Sequence, residues 1–311
     1  MWDIGEMWIT PLELLYCGMI AGLWFLGLLV GVLEPHLPTP LIQIYRYGKH
    51  ALKKHRHAVV DRLEVPKSSF RHFYVFAVGI TGLTFYLILR TYLGEEAPPE
   101  VVMTLLDFLC GTKRTAKGSG VGTLLASFCI FLQCLRRFWE THFVQVFSRS
   151  SRINIVHYLV GYVHYLGATL AILAHAPGFV VPTEEVSLSM DQLTLRVVLS
   201  GGTFLFAWWH QWRSNEILAR LRKNQTGQVV TEKHLMPKGG FFDVVSSPHM
   251  LFECLMYVSL VPVLSGNTDW LLVTAWVVTN QAQVAHFTHA WYRETFPHYP
   301  KARKALIPGI F

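Results

Sequence analysis

Seven stretches of this chain, near residues 12–33, 70–92, 119–139, 153–176, 193–212, 249–266 and 269–291, are apolar over lengths approaching or exceeding that of a bilayer-spanning helix. A hydrocarbon core about 30 Å thick takes roughly 20 residues of α-helix. Their number dictates the class: an all-α, polytopic membrane protein with about seven transmembrane helices, forming a single membrane domain over 1–311. Composition agrees, since 52% of the 311 residues are hydrophobic and only 15% charged.

The connecting segments sort by charge. Arg46, Lys49, Lys53, Lys54, Arg56, Arg62 and Lys67 follow the first stretch; Arg136, Arg137, Arg149 and Arg152 the third; Arg213, Arg220, Arg222, Lys223, Lys233 and Lys238 the fifth; Arg293, Lys301, Arg303 and Lys304 the seventh. The opposite side holds Asp3, Glu6, Glu95, Glu96, Glu100, Glu184, Glu185 and Asp269, with Lys113, Arg114 and Lys117 as its one basic cluster. Because Lys and Arg favour the cytoplasmic side, the expected N-terminus is lumenal and the C-terminus cytosolic. Asp3 and Glu6 stand where a signal peptide would be basic, so the first stretch is expected to serve as a retained anchor. Its glycines, Gly18 with Gly22 and Gly27 with Gly31, are spaced for close helix packing.

The polar passage from His210 to Glu253 interrupts this apolar pattern. Helical spacing continues through Lys223, with Gln211, Asn215, Leu218 and Arg222 on one face and Arg213, Ile217 and Arg220 on another. Asn224 to Gly227 breaks the helix, Pro237 and Gly239-Gly240 turn the chain, and Ser247-Pro248 reads as an N-cap followed by proline at the first helical position. That puts Glu253 inside the next apolar helix, where an ionisable group marks a functional site by default.

Other polar residues are weaker signals. His50, His55 and His57 lie among cations, as expected of a headgroup-facing surface rather than a metal site. The five cysteines form no C-x-x-C pair, and outside that basic loop His286 with His289 is the only short histidine pair, so no metal is expected. No G-x-G-x-x-G turn or Walker spacing occurs, and any nucleotide must be held by helices and loops. No nucleic-acid partner and no obligate protein partner are expected. His72 and Tyr74 lie about one turn inside the cytosolic end of the second helix. Arg137 and Glu140 are spaced to pair at i,i+3, and His157 and His164 share a face. Asn280, Gln281, Gln283, His286, His289 and Tyr292 bring further polar groups to the cytosolic mouth.

The chain ends in Tyr299-Pro-Lys-Ala-Arg-Lys-Ala-Leu-Ile-Pro308. That run resembles the signature closing chains of the steroid 5α-reductase family. Arg-Tyr-Gly-Lys at 46–49, Val-Pro-Lys at 65–67, His-Phe-Tyr at 72–74, Leu-Arg-Arg at 135–137 and Leu-Arg-Lys-Asn at 221–224 extend the likeness, specifically to its polyprenal reductase branch. The resemblance implies a seven-helix, multi-pass enzyme of the endoplasmic reticulum membrane that uses NADPH to saturate the α-isoprene double bond of a long polyprenyl lipid. That reaction feeds dolichol to protein N-glycosylation. It divides the chain into N-terminal helices with substrate-side groups over 1–150 and an NADPH-binding region over 190–311. It implies cofactor contacts at Arg137, Gln211, Asn215, Arg222, His234, His249, Glu253 and Tyr292. The sequence departs from steroid-reducing members at Phe73-Tyr74, where they have Gln-Glu on the second helix, and at His249, where relatives have Asn.

The chemistry bears on the substrate. Saturating a C=C bond by hydride addition needs a conjugated carbonyl as electron sink and a donor for the oxygen that becomes an enolate. This favours polyprenal over the allylic alcohol polyprenol, with Tyr74 or His72 as the catalytic donor. A seven-helix receptor would keep its polar groups on the non-cytosolic side. The remaining alternatives are a 3-oxo-steroid 5α-reductase and a membrane isoprenoid methyltransferase. Arg213, Arg220, Arg222 and Lys223 argue against the methyltransferase, as guanidinium and ammonium groups suit phosphate and a sulfonium cofactor has none.

Overall fold

A computed structural model describes residues 9–46, 48–50, 56–94, 96–181 and 186–311, with the Lys49 side chain excepted. The expected roles of Asp3, Glu6, Tyr47, Lys53, Lys54, His55, Glu95, Glu184 and Glu185 lie outside the described residues. Ten α-helices are described. Helix α1 (Pro11–Leu33) starts at a capping box in which Thr10 and Glu13 satisfy one another's backbone N–H, with Pro11 in the first turn. Short helices α2 (Thr39–Tyr45) and α3 (Ala58–Arg62) lead to α4 (Phe70–Leu93). Helix α5 (Glu100–Cys110) follows, then α6 (Gly120–Trp139), capped by Ser119 and running into a π-helical turn, Glu140–Val144. Helix α7 (Ile155–Leu173) is capped by Asn154, α8 (Leu195–Arg220) by Thr194, and α10 (Thr268–Thr295) by Asn267. Helix α9 (Pro248–Leu260) begins at Ser247-Pro248 as the sequence suggests, although the Ser247 side chain makes no capping bond.

Four helical segments are long and apolar enough to cross a membrane: Pro11–His36, Lys67–Leu93, Gly120–Val144 and Ile155–Leu173. The other three expected stretches form helices that fall short of this for identifiable reasons. Helices α8 and α10 have the length, but His210–Arg220 and Asn280–Arg293 make their C-terminal halves polar. Helix α9 stops after 13 residues, about 20 Å at 1.5 Å per residue, and turns through Val261–Gly266.

Helix α8 packs along α9, α4 against α6 and α7, and α10 against α1 and α9. Tyr16, Ile88, Phe204, Phe252, Tyr257 and Trp270 form a core common to these helices, and Tyr257 stacks on Trp270 at 5.6 Å between centroids. Of the α1 glycines, only Gly27 meets a neighbour: a Cβ there would lie 2.8 Å from Gln283 Nε2 and 2.9 Å from the Tyr45 hydroxyl. Gly18, Gly22 and Gly31 have nothing within 4 Å, so the spacing does not mark a helix seam in the described structure. The close approach lies elsewhere, at Gly167, where a Cβ would be 2.5 Å from the Tyr16 hydroxyl.

Two short strands tie the segment before α4 to the segment before α7. Strand β1 (Glu64–Pro66) pairs antiparallel with β2 (Arg152–Asn154), Glu64 opposite Asn154. The Lys67 N–H then donates to Ser151 O at 2.9 Å, which fixes the start of α4 beside the start of α7.

Candidate active site

Helix α6 carries Gln133, Arg136 and Arg137, followed one turn later by Glu140. The i+3, i+4 and i+7 spacings put these groups on one stripe. That stripe faces α8 and α9, with Gln133 1% exposed and Glu140 0%, against Gln211 at 3% and Asn215 at 6% on α8, while Arg137 is half-buried. Buried charges persist only when paired and hydrogen-bonded, and here they are. Glu140 accepts from Arg137 and, at 2.9 Å, from Asn215 Nδ2, while its other oxygen lies 3.4 Å from Arg136 Nε. Glu253 on α9 accepts from Gln211 Nε2 and, at 3.1 Å, from Gln133 Nε2. Two guanidiniums and two carboxylates thus form a neutral set at the helix crossing.

Tyr74 joins this set from α4. It is buried, and Arg137 Nε donates to its hydroxyl at 3.1 Å with the guanidinium 5.1 Å from the ring centroid. Because the phenol oxygen is the acceptor in that bond, its own O–H remains available as a donor. His72 turns the other way, half a helical turn removed. It is exposed and bonds Tyr158 of α7 at 3.3 Å.

The remaining expected cofactor residues divide. His249 contributes its backbone carbonyl, which accepts from Gln211 Nε2 at 3.1 Å. Arg222 and Lys223 wrap the exit of the π-helical turn, donating to Val146 O at 2.5 Å and Val144 O at 2.9 Å. Burial holds the Arg222 guanidinium below its ordinary pKa, with Glu232 opposing that shift, and Lys67 adds a like charge nearby. Cations so arranged, with backbone carbonyls as partners, are suited to an anion. Arg213 and Arg220 do not join them; both pair with Glu216 on the exposed face of α8, at 2.7 and 2.6 Å. Tyr292 is buried and stacks on Tyr299 at 5.8 Å, apart from the ionic set. His234 is exposed against Trp291, 5.6 Å between centroids.

The C-terminal Tyr299–Pro308 run builds the wall behind Tyr292. Tyr299 bonds Ser246, Ser246 N–H donates to Lys304 O at 2.8 Å, and Lys304 N–H donates to Val244 O at 3.0 Å. Arg303, 3% exposed, donates to Pro237 O at 3.2 Å and lies 5.2 Å from the Tyr299 ring. These bonds hold the 237–246 segment in place.

Sequence reasoning missed Gln133 and Arg136, and Glu140 as a hub. The signal was present as a polar stripe at helical spacing in an otherwise apolar helix. A nicotinamide cofactor needs an acceptor for its carboxamide N–H and cations for its phosphates. The residues fit. Glu253 Oε2 is doubly bonded whereas Oε1 takes none of the described hydrogen bonds, the buried Ser247 Oγ at the start of α9 lacks a partner, and Arg222 with Lys223 supplies positive charge.

A family profile described as 3-oxo-5-alpha-steroid 4-dehydrogenase matches residues 178–311. Along nearly its whole length the chain is similar to a polyprenal reductase of Drosophila melanogaster, 44% identical over 97% of this chain and 94% of the relative. A Caenorhabditis elegans polyprenal reductase is 34% identical over 89% of each chain, and a Mus musculus one 31% identical over 97% of each.

Proposed function

This chain belongs to the polyprenal reductase family, and on that premise we propose that it reduces the α-isoprene C=C bond of polyprenal at the crossing of α4, α6, α8 and α9, with NADPH as reductant. The observation that carries this reading is the Arg137–Tyr74 contact beside the Glu253 carboxylate. When bound, NADPH supplies the hydride that adds to the β-carbon of the conjugated aldehyde. Tyr74 donates its O–H to the aldehyde oxygen, and Arg137 stabilises negative charge on the phenol oxygen as charge develops there. A proton delivered to the α-carbon, directly or through water, completes the saturated aldehyde as the oxygen gives its proton back. Glu140 neutralises Arg137 and keeps it aimed at Tyr74. Glu253 Oε1 accepts a carboxamide N–H, Gln211 and Asn215 buttress the two carboxylates, and Arg222 with Lys223 holds phosphate. His249 fixes Gln211 through its backbone carbonyl, and Tyr292, near Arg222, contacts the cofactor on its phosphate side together with His234.

The substrate's head lies near the cytosolic boundary and its tail in lipid, in keeping with α4, α6 and α7 opening to the bilayer. We read α8, α9 with its following turn, and α10 as three further crossings, giving seven with a lumenal N-terminus in the endoplasmic reticulum membrane; the basic segments at 46–67, 136–152, 213–238 and 293–304 support that orientation. The test incubates purified protein with NADPH and, separately, polyprenal, polyprenol and a 3-oxo-4-ene steroid, identifying products by mass. Gain of two hydrogens by polyprenal is expected. Reduction of the alcohol or steroid in preference to polyprenal would overturn the substrate assignment.

A further inference from the structure

Arg136 is the unassigned member of the buried set, and its position is chemically informative. One of its terminal nitrogens donates to Gln133 Oε1 at 2.7 Å and also to Gln211 Oε1. A guanidinium has donors only, so it forces both amide oxygens toward itself. Both amide nitrogens must then point away, and they converge on a single atom, Glu253 Oε2. Gln133 Nε2 also reaches Gln211 Oε1 at 2.8 Å, and Gln211 Nε2 reaches His249 O at 3.1 Å. Gln211 is thereby fully occupied: its oxygen accepts from two donors and its nitrogen gives to two acceptors. It has no direction left for a ligand and acts through Glu253.

We propose that Arg136 is a positioning residue that orients the amides of Gln133 and Gln211 as a two-pronged fork on Glu253 Oε2, leaving Glu253 Oε1 as the correctly aimed acceptor for the amide N–H of a carboxamide-bearing cofactor. Without the donor-only anchor either amide can turn end for end, which brings its oxygen against the carboxylate and removes a donor from it. Arg136 is itself held by Trp208 O and by Glu140, so its direction does not depend on bound ligand. The cofactor part of this inference rests on the NADPH reading above; the fork does not.

Arg136→Met is expected to raise the NADPH KM roughly tenfold to a hundredfold, as loss of hydrogen bonds to a charged group does, while kcat at saturating NADPH stays within a few-fold. Arg136→Lys, also donor-only, restores most of the KM. In a Glu253→Gln background Arg136→Met should have no further effect, because residues acting through one another are non-additive. A folded Arg136→Met with unchanged KM, or additive effects in the double variant, would overturn the proposal. Gln133→Leu, which removes one prong and leaves Arg136 in place, gives the same reading if Arg136→Met fails to fold: a several-fold KM increase is expected, and none overturns it. A readout without cofactor completes the test. In the cofactor-free protein the infrared carboxylate band altered by Gln133→Leu should be altered likewise by Arg136→Met, and both changes should be lost in a Glu253→Gln background. No such change in Arg136→Met rejects the fork, whereas failure of the wild type to oxidise NADPH with polyprenal rejects the cofactor reading alone.

Discussion

Tyr74 and His72 lie two residues apart on α4, a spacing that turns them to different neighbours: Tyr74 to Arg137 and the buried ionic set, His72 to Tyr158 at an exposed edge. A phenol is neutral at cytosolic pH and can be buried at the boundary with little desolvation penalty, whereas an imidazolium could not. Tyr74→Phe should therefore reduce turnover by about 100 to 1000-fold, as removal of a donor to a developing oxyanion does, while cofactor binding measured by titration stays nearly intact. His72→Ala should be milder. Full turnover in Tyr74→Phe would move the donor elsewhere. The role proposed for Arg222 is phosphate binding: its one described hydrogen bond goes to Val146 O, which leaves guanidinium donors for an anion. Arg222→Ala should weaken NADPH roughly tenfold to a hundredfold, and an unchanged Kd would remove it from the phosphate site.

The polar face of α8 was legible because helical periodicity survives the change from apolar to polar residues, and Gln211 and Asn215 are buried on the side expected. Helix α5 was not, since its 11 residues are too few to register as a span and only its Leu106 and Cys110 side is buried, in a helix that packs on α1 and α7. Nor could spacing reveal that Arg136 and Arg137, adjacent in sequence, serve two different neighbours; that depends on which helices flank α6. The Tyr299–Pro308 run was legible as a family signature but not as a staple. Its Arg303 is buried with a carbonyl partner, and removing a buried charged donor typically costs about 1.5 to 3 kcal/mol. Arg303→Met should lower the thermal midpoint of the purified protein and raise the NADPH KM by loosening the 237–246 segment beneath Tyr292. A drop in midpoint without any change in KM would make the staple purely structural.

At the scale of the whole molecule the arrangement separates two tasks: a charge-neutral helix crossing, and helices α1, α4 and α7 that present large apolar side chains such as Trp24, Phe25, Leu83, Tyr86 and Leu159 outward. Helix class and membrane character followed from apolar length alone, but the number of crossings did not, because α8 and α10 join an apolar and a polar stretch in one helix. This division bears on how a very long substrate is read. A prenyl tail moving from lipid to a protein groove gains little from the hydrophobic effect, since lipid is already apolar. Any gain from added isoprene units would have to come from packing in an extended tunnel. Discrimination should therefore reside in the aldehyde and the first few isoprene units beside Tyr74. Catalytic efficiency, expressed per membrane concentration of substrate, is expected to rise over the shortest polyprenals and then level off. The measurement is a series of polyprenals of increasing length in vesicles of fixed composition, with membrane partitioning determined separately; efficiency that climbed steadily through the longest tails would require a protein tunnel running the length of the bilayer.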